Sequence, residues 1–536
     1  MIAAPRPVSP LSTTNTTSQQ PTLWWALGAG GDGAVVEVCR DRPCAMVEHR
    51  LEVTGTSVRP PMALRPGVHF WRLRGRVGTA VGTALSPTWQ FFVGPRSAPV
   101  DTSWGVVPDF NGDGIADLAI GARDLGRLTV HYGSIRGISA TADVTILRRS
   151  PADCTFGAEV EAAGDVNGDG FGDLLVGTRF AGDECGRPGI VYLFYGGEAG
   201  IQESRRAELR SGFPEFGFRF STVGDVDHDG YSDVAVRQYE PEGVIFFNGG
   251  SSGLEAEGTI AGVAGSMGDF AGGAMDYNGD GVHDYAQAVY RDGHWNINVH
   301  LGVPGRGLPE IRAIIPFHEL AIRPLFFPIV PAGAGDVDGD GRSDLSVARG
   351  FPGDSSMHVD VYGGTPTGVS VLPRASLPSG ASDTGLLESR GGCDVNGDGL
   401  SDLSVTLPWH RAVVFLGDRG GLTPTRSFGV ARPVGARFPS PNRVSCTSDL
   451  DGDGYSEVVV TGPGELFIYP GGAPGLSTEP SIILRESYGI GWVVASMGLP
   501  QRALGRSWRG TGVVVGAALM RRGVEGDSGG SQDWGG

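Results

Sequence analysis

The chain has 536 residues, room for two or three domains with a sizeable core, and a formal charge of -18. Abundant glycine (89) and proline (36) with few charges fit many short strands joined by tight turns. The acidity excludes nucleic acid as an expected partner, and no stretch reaches the ~18 apolar residues that would span a bilayer.

Met1 to Pro21 is a Pro/Ser/Thr/Gln stretch without the apolar core of an export signal, and residues 1–21 are expected to be a disordered tether. Residues 22–94 read as short strands at Trp24-Trp25, Val35 to Cys39, His69 to Arg74 and Trp89 to Val93. The early Trp, the Leu64-Arg65-Pro66-Gly67 turn and the Phe70-Trp71-Arg72-Leu73 run resemble a fibronectin type III domain. That resemblance implies a small β-sandwich, although Phe or Trp occupies the neighbourhood of the family's corner tyrosine. Gly94 to Asp101 forms a Pro/Ser connection to a long repeated region.

In that region seven acidic loops of nine residues recur at intervals of 51 to 60 residues. In the first, positions 1, 3, 5, 7 and 9 are Asp109, Asn111, Asp113, Ile115 and Asp117. The second has Asp165, Asn167, Asp169, Phe171 and Asp173; the third has Asp225, Asp227, Asp229, Tyr231 and Asp233. The fourth has Asp276, Asn278, Asp280, Val282 and Asp284; the fifth has Asp336, Asp338, Asp340, Arg342 and Asp344. The sixth has Asp394, Asn396, Asp398, Leu400 and Asp402; the seventh has Asp449, Asp451, Asp453, Tyr455 and Glu457.

This alternation turns every second side chain inward, so a short loop can gather oxygens around a hard cation. The side chains at positions 1, 3, 5 and 9 and the carbonyl at position 7 are the expected Ca²⁺ ligands, with water completing six or seven oxygens. Glycine at position 6 suits a turn with positive φ. The bland alternative is a set of Asx turns, but turns alone do not demand this ligand spacing. Mg²⁺, which keeps its waters, suits such side-chain-rich loops less well than Ca²⁺. The loops hold 24 carboxylates, three or four each, so seven Ca²⁺ would bring the charge from -18 to -4. An EF-hand is excluded because no Glu stands at position 12. The longer Glu457 is expected to make the seventh site weaker.

Around each loop the order is constant. One strand enters it and a second leaves it, as at Asp117 to Gly121, Asp173 to Gly177 and Asp344 to Val347. A third carries an aromatic and a glycine turn (Val191 to Tyr195, Val359 to Tyr362, Leu466 to Tyr469), and a fourth comes after it (Ala207 to Arg210, Ile482 to Arg485). Four strands in each of seven units is the arithmetic of a propeller. With openings such as Trp104-Gly105, Phe156-Gly157 and Phe216-Gly217, residues 104–485 resemble the FG-GAP repeats of integrin alpha chains and the related VCBS-type repeats of bacterial surface proteins. The resemblance implies a seven-bladed β-propeller with calcium in the loop joining the first two strands of a blade. The fold class is therefore all-β, a propeller after a small sandwich, with eight blades the rival count. Residues 486–520 read as a degenerate repeat, a closing strand or a sequence error, and 521–536 as a disordered tail.

Six cysteines suggest the pairs Cys39–Cys44, Cys154–Cys185 and Cys393–Cys446, hence an extracytoplasmic compartment. Gly526-Asp527-Ser528-Gly529-Gly530 matches a protease nucleophile motif, but only eight residues follow Ser528 and no partner motif precedes it. His228 and His283 stand at non-ligand loop positions and are expected at the surface. Phe246-Phe247 and Phe326-Phe327 are expected to pack between blades. The expected function is a non-catalytic, secreted or cell-surface scaffold for a protein or glycan partner, acting as a monomer with the sandwich as spacer. The alternative is a calcium-dependent carbohydrate-active enzyme of the propeller lyase kind.

Overall fold

The computed structural model describes residues 2–149, 155–178, 189–212, 216–217, 219–238, 243–261, 270–291, 294–317, 329–349, 358–378, 388–407, 411–422, 427–430, 443–462, 465–485 and 493–494. Among them the chain is strands and turns, with one 3-10 turn at Arg123–Leu125. No helix among the described residues is long and apolar enough to cross a membrane.

The N-terminal part is a two-sheet sandwich. Arg6–Ser9, Leu23–Ala26 and Ser57–Val58 form one sheet. The other runs Ser103–Trp104, Thr14–Thr16, Trp89–Val93, Gly67–Val77, Gly33–Cys39 and Val47–Thr54, with Ala80–Leu85 beside Gly67–Val77. Alternation sets the faces: Leu23 and Trp25 are buried whereas Trp24 points out. The core holds Trp71 and Trp89 in edge contact at 6.2 Å, with Val36, Val38, Leu73 and Phe91 around them.

The expected tether over 1–21 is wrong. Thr14–Thr16 runs parallel to Trp89–Val93, and Ser12, Thr13 and Thr14 are fully buried. Hydropathy misses the segment because it is held by side-chain hydroxyls on backbone carbonyls. Thr14 Oγ1 donates to Leu11 O (2.7 Å), Thr16 Oγ1 to Phe92 O (3.1 Å) and Thr17 Oγ1 to Val100 O (2.7 Å).

The rest is a β-propeller. Among the described residues lie seven four-stranded antiparallel sheets, all but the first an up-and-down meander in chain order. The second, for example, is Phe156–Gly164, Asp173–Thr178, Val191–Phe194 and Arg206–Leu209. Its middle strands are wholly buried, as continuous apolar runs require. Apolar side chains join neighbouring sheets. Ala119 and Leu128 of the first meet Val160, Leu174 and Val176 of the second. Leu118 and Ile120 of the first meet Val459, Leu466, Ile468 and Leu484 of the seventh, so the series returns on itself. Phe246 packs edge-on against Tyr285 of the next sheet (5.2 Å) and Phe247 against Phe216 (6.2 Å), while Phe326-Phe327 lies outside the described residues.

The first sheet departs from the expected order. Ser103–Trp104 pairs with Asn15 and Thr16 of the sandwich and supplies no blade strand. The innermost place is taken by Val493–Val494, antiparallel to Leu118–Ala122 (Ala119 opposite Val494, Ile120 opposite Val493). A two-residue strand from the chain's far end thus stands where residues 486–520 left three readings open; the remainder of that segment and the 521–536 tail, Ser528 included, lie outside the described residues. Cys39–Cys44 and Cys393–Cys446 are bonded, the second tying the strands that enter the sixth and seventh loops. Cys154 and Cys185 lie outside the described residues.

Candidate metal sites

The seven acidic loops share one backbone design. The position-1 carboxylate accepts the position-6 N–H in each: Gly114 on Asp109 (2.7 Å), Gly170 on Asp165 (2.7 Å), Gly230 on Asp225 (2.8 Å) and Gly281 on Asp276 (2.8 Å). Gly341 on Asp336 (2.9 Å), Gly399 on Asp394 (2.7 Å) and Gly454 on Asp449 (2.8 Å) complete the set. Position 6 takes φ from 77° to 95°, as the sequence implied. Position 4 is also left-handed, glycine in six loops and His228 (φ 59°) in the third, a second regularity that the sequence displays.

Position 9 does a further job. Asp173 accepts Val166 N–H (3.0 Å) on one oxygen and Gly196 N–H (2.9 Å), from the turn after the third strand, on the other. Asp117, Asp233, Asp284, Asp344 and Asp402 repeat both bonds. Glu457 keeps only the bond from Leu450 N–H (2.6 Å), and its Oε1 is buried without a hydrogen-bond partner.

Two circuits of hydrogen bonds join loop to loop. Each position-8 N–H donates to the position-1 carbonyl of the preceding loop. The pairs are Gly172 to Asp109 (2.9 Å), Ser232 to Asp165 (2.9 Å), His283 to Asp225 (3.1 Å) and Ser343 to Asp276 (2.8 Å). Ser401 to Asp336 (2.9 Å), Ser456 to Asp394 (2.9 Å) and finally Ala116 back to Asp449 (3.0 Å) close the circle. The second circuit joins the turn after each third strand to the preceding loop's position-2 carbonyl, from Gly197 N–H on Phe110 (3.0 Å) round to Ser134 N–H on Leu450 (3.3 Å). His283 belongs to this stitching. It is 3% exposed, and its Nδ1 accepts Asp225 N–H (3.0 Å), so its expected place at the surface is wrong. Burial pushes its pKa down to about 4, which keeps that nitrogen free to accept.

The donor sets suit a divalent cation. Asp225, Asp227 and Asp229 bring oxygens within 4.8 Å of one another, as do Asp336, Asp338 and Asp344, and Asp449, Asp451, Asp453 and Glu457. These are the three loops with Asp at position 3. In the other four the position-3 Asn donates to the position-5 carboxylate, at 3.0 Å for Asn111 on Asp113 and 2.8 Å for Asn278 on Asp280. Two loops carry a built-in counter-charge, Arg374 on Asp338 and Arg205 on Asp169 (3.3 Å).

Burial, then neighbouring carboxylates, push the position-1 pKa values up, to about 6 for Asp109, 7 for Asp276 and 8 for Asp165. Burial raises Glu457 to about 9. The unfolded chain therefore loses these protons first, near the ordinary Asp value of 3.8. With a chelator present, stability should fall as pH rises from about 4 to 8. Saturating Ca²⁺ should remove that decline. Urea melts at pH 5 and pH 8, with and without Ca²⁺, check both signs.

The sandwich sits on this face of the propeller. Arg42 Nε donates to Gly112 O of the first loop (2.7 Å), and its Nη2 to Gly170 O of the second (2.9 Å). Trp89 Nε1 reaches Gly168 O (3.2 Å), Thr102 Oγ1 reaches Gly341 O of the fifth loop (2.6 Å), and Arg6 reaches Asp229 O of the third while stacking over Tyr231 at 4.6 Å. The sandwich is therefore no spacer. None of these contacts is legible in the sequence; the short Cys39–Cys44 loop presenting Arg42 is the one available signal.

The chain carries FG-GAP repeats, matched at residues 102–131 and 156–194. Among curated proteins it is similar to integrin alpha chains. Integrin alpha-V of Gallus gallus is 30% identical over 221 residues, covering 36% of this chain and 20% of that protein. Integrin alpha-4 of Xenopus laevis is 30% identical over 148 residues (26% and 14%), and integrin alpha-PS2 of Drosophila melanogaster 34% over 160 residues (26% and 11%). The matches thus span a fifth or less of those proteins. Among solved structures, a Lactobacillus plantarum protein overlaps with TM-score 0.46 at 12% identity, covering 71% of this chain and 99% of its own. The rhamnogalacturonan lyase of Bacillus licheniformis overlaps with TM-score 0.28 at 14% identity (89% and 70%), too slight a likeness to bear on activity.

Proposed function

We propose that this is an extracytoplasmic, non-catalytic binding scaffold. Seven blades, closed by Val493–Val494, would be pinned by calcium in the acidic loops, with a fibronectin type III-like sandwich seated on the calcium side. In each loop the side chains at positions 1, 3 and 5 and the position-7 carbonyl would hold the ion. Position 9 would add the lone pairs that its two backbone bonds leave over. The ion's contribution is to neutralise the clustered carboxylates and lock the loop backbone.

The observation that carries this reading is the closed circuit of seven loop-to-loop hydrogen bonds on the face the sandwich covers. A rigid ring with one end occupied offers its other end to a partner. That other end is marked by the far ends of the second and third strands, Thr178 and Val191 in the second sheet, and binding is usually built on such a rigid frame. The integrin-like repeats support a protein or glycan partner. Screening the full chain with Ca²⁺ against glycan and extracellular-protein arrays should give saturable binding without turnover. Release of unsaturated sugars from a bound polysaccharide would overturn the non-catalytic reading.

A further inference from the structure

The acidic loops do more than close the propeller: the geometry points to them as a calcium-dependent docking surface for this chain's own N-terminal sandwich, so that metal binding and sandwich seating reinforce each other. This inference rests on the calcium reading of the loops. The sandwich grips the loops through backbone carbonyls at positions 4 to 6. Arg42 takes Gly112 O and Gly170 O, and Ser12 Oγ also donates to Gly170 O (3.2 Å). Thr102 Oγ1 and Val100 N–H take Gly341 O and Asp340 O (2.6 and 3.3 Å), and Arg6 takes Asp229 O. Those carbonyls face outward together only while each loop is wound around its centre. A metal draws the carboxylates in and fixes that winding; without it, three or four like charges within a few ångströms favour an opened loop.

One contact reaches inside. Gln90, fully buried, donates its Nε2 to the Asp109 carboxylate (2.7 Å) while its Oε1 accepts from Arg42 Nη2 (2.6 Å). Seating of the sandwich is thereby tied to the orientation of a position-1 ligand. Charge by itself opposes the linkage, because Ca²⁺ takes a three-carboxylate loop from -3 to -1 and weakens its pull on Arg42, so the coupling rests on the carbonyl contacts and on Gln90 outweighing that loss. The loops are not equal in this respect. Those numbered one, two, three and five are held by the sandwich, whereas Gly281 and Gly454, at position 6 of the fourth and seventh, have nothing within 4 Å of where a side chain would start. Between the seventh loop and the sandwich, a cavity of about 640 Å³ opens beside Val68, Phe92 and Arg96. The loops therefore differ in how closely the N-terminal part covers them, the sixth meeting Arg96 and Pro95 and the fourth meeting Val100 only at Gly279.

The test uses the full chain and Ca²⁺ itself, comparing the wild type with Arg42→Ala and Arg6→Ala. Arg96, in the connection between the domains, provides a trypsin site that reports seating. At saturating Ca²⁺, Arg42→Ala should be cut at Arg96 about tenfold faster, and two of its sites should bind Ca²⁺ about 5- to 10-fold more weakly, reciprocal coupling being typically 5- to 150-fold. Arg6→Ala should weaken one site, and serves alone should Arg42→Ala fail to fold. Unchanged isotherms and cleavage in the variants, with the wild type binding Ca²⁺, would overturn the linkage. A wild type that binds no Ca²⁺ would instead overturn the calcium reading beneath it.

Discussion

Chelation should lower the melting temperature of the full chain by more than about 10 °C. A site filled at ten times its Kd stabilises the fold by about 1.4 kcal/mol. Seven such sites would together rival the ~5–15 kcal/mol of a typical fold, and for domains of 150–250 residues 1 kcal/mol shifts melting by roughly 2–4 °C. The position-1 carboxylates, 0–4% exposed in the first six loops save Asp394, are also left facing their neighbours when the ion goes. The loss should be cooperative, since each loop bonds to the next around the circuit. Differential scanning calorimetry in Ca²⁺ and in chelator measures it, and superimposable melts would contradict structural calcium.

Asp173→Ala should cost roughly 2–5 kcal/mol whether or not Ca²⁺ is present. Its carboxylate is fully buried and holds Val166 N–H and Gly196 N–H, and each stranded buried donor costs ~1–3 kcal/mol. Asn167→Ala, at position 3 of the same loop, removes a candidate ligand, a bond to the Asp169 carboxylate (3.1 Å) and one acceptor of the Asp169 N–H (3.0 Å), which keeps Asp165 as its other acceptor (3.0 Å). It should destabilise by about 1 kcal/mol in Ca²⁺ and scarcely at all in chelator. Urea titrations of both variants in both conditions separate a ligand that also holds buried backbone from one whose main role is the metal. Equal, Ca²⁺-dependent losses at the two positions would sink the distinction.

The propeller was legible because its information is local and repeated. The strands leaving the loops at Asp173 and Asp344 and the third strands at Val191 and Leu466 start within a residue of their expected places. The N-terminal arm was not legible. Ser12 to Thr17 has the composition of a tether, and its order comes from hydroxyl-to-carbonyl bonds and a parallel pairing with Trp89–Val93 that no hydropathy pattern announces. The role of position 8 is hidden for a related reason. Ala116, Gly172, His283 and four serines share no side-chain chemistry, because the bond that matters is their backbone N–H. Long-range contacts such as Gln90 on Asp109 leave no spacing to read. Trp104 shows how a repeat's opening motif can belong elsewhere, here to the sandwich sheet.

If the aspartate loops are divalent-metal sites on one closed ring, the ions they hold can be counted. Equilibrium dialysis of the full chain against millimolar Ca²⁺, followed by atomic emission, gives that number. Close to seven Ca²⁺ should be found per chain; a stoichiometry below one would show the loops to be polar turns and no metal sites.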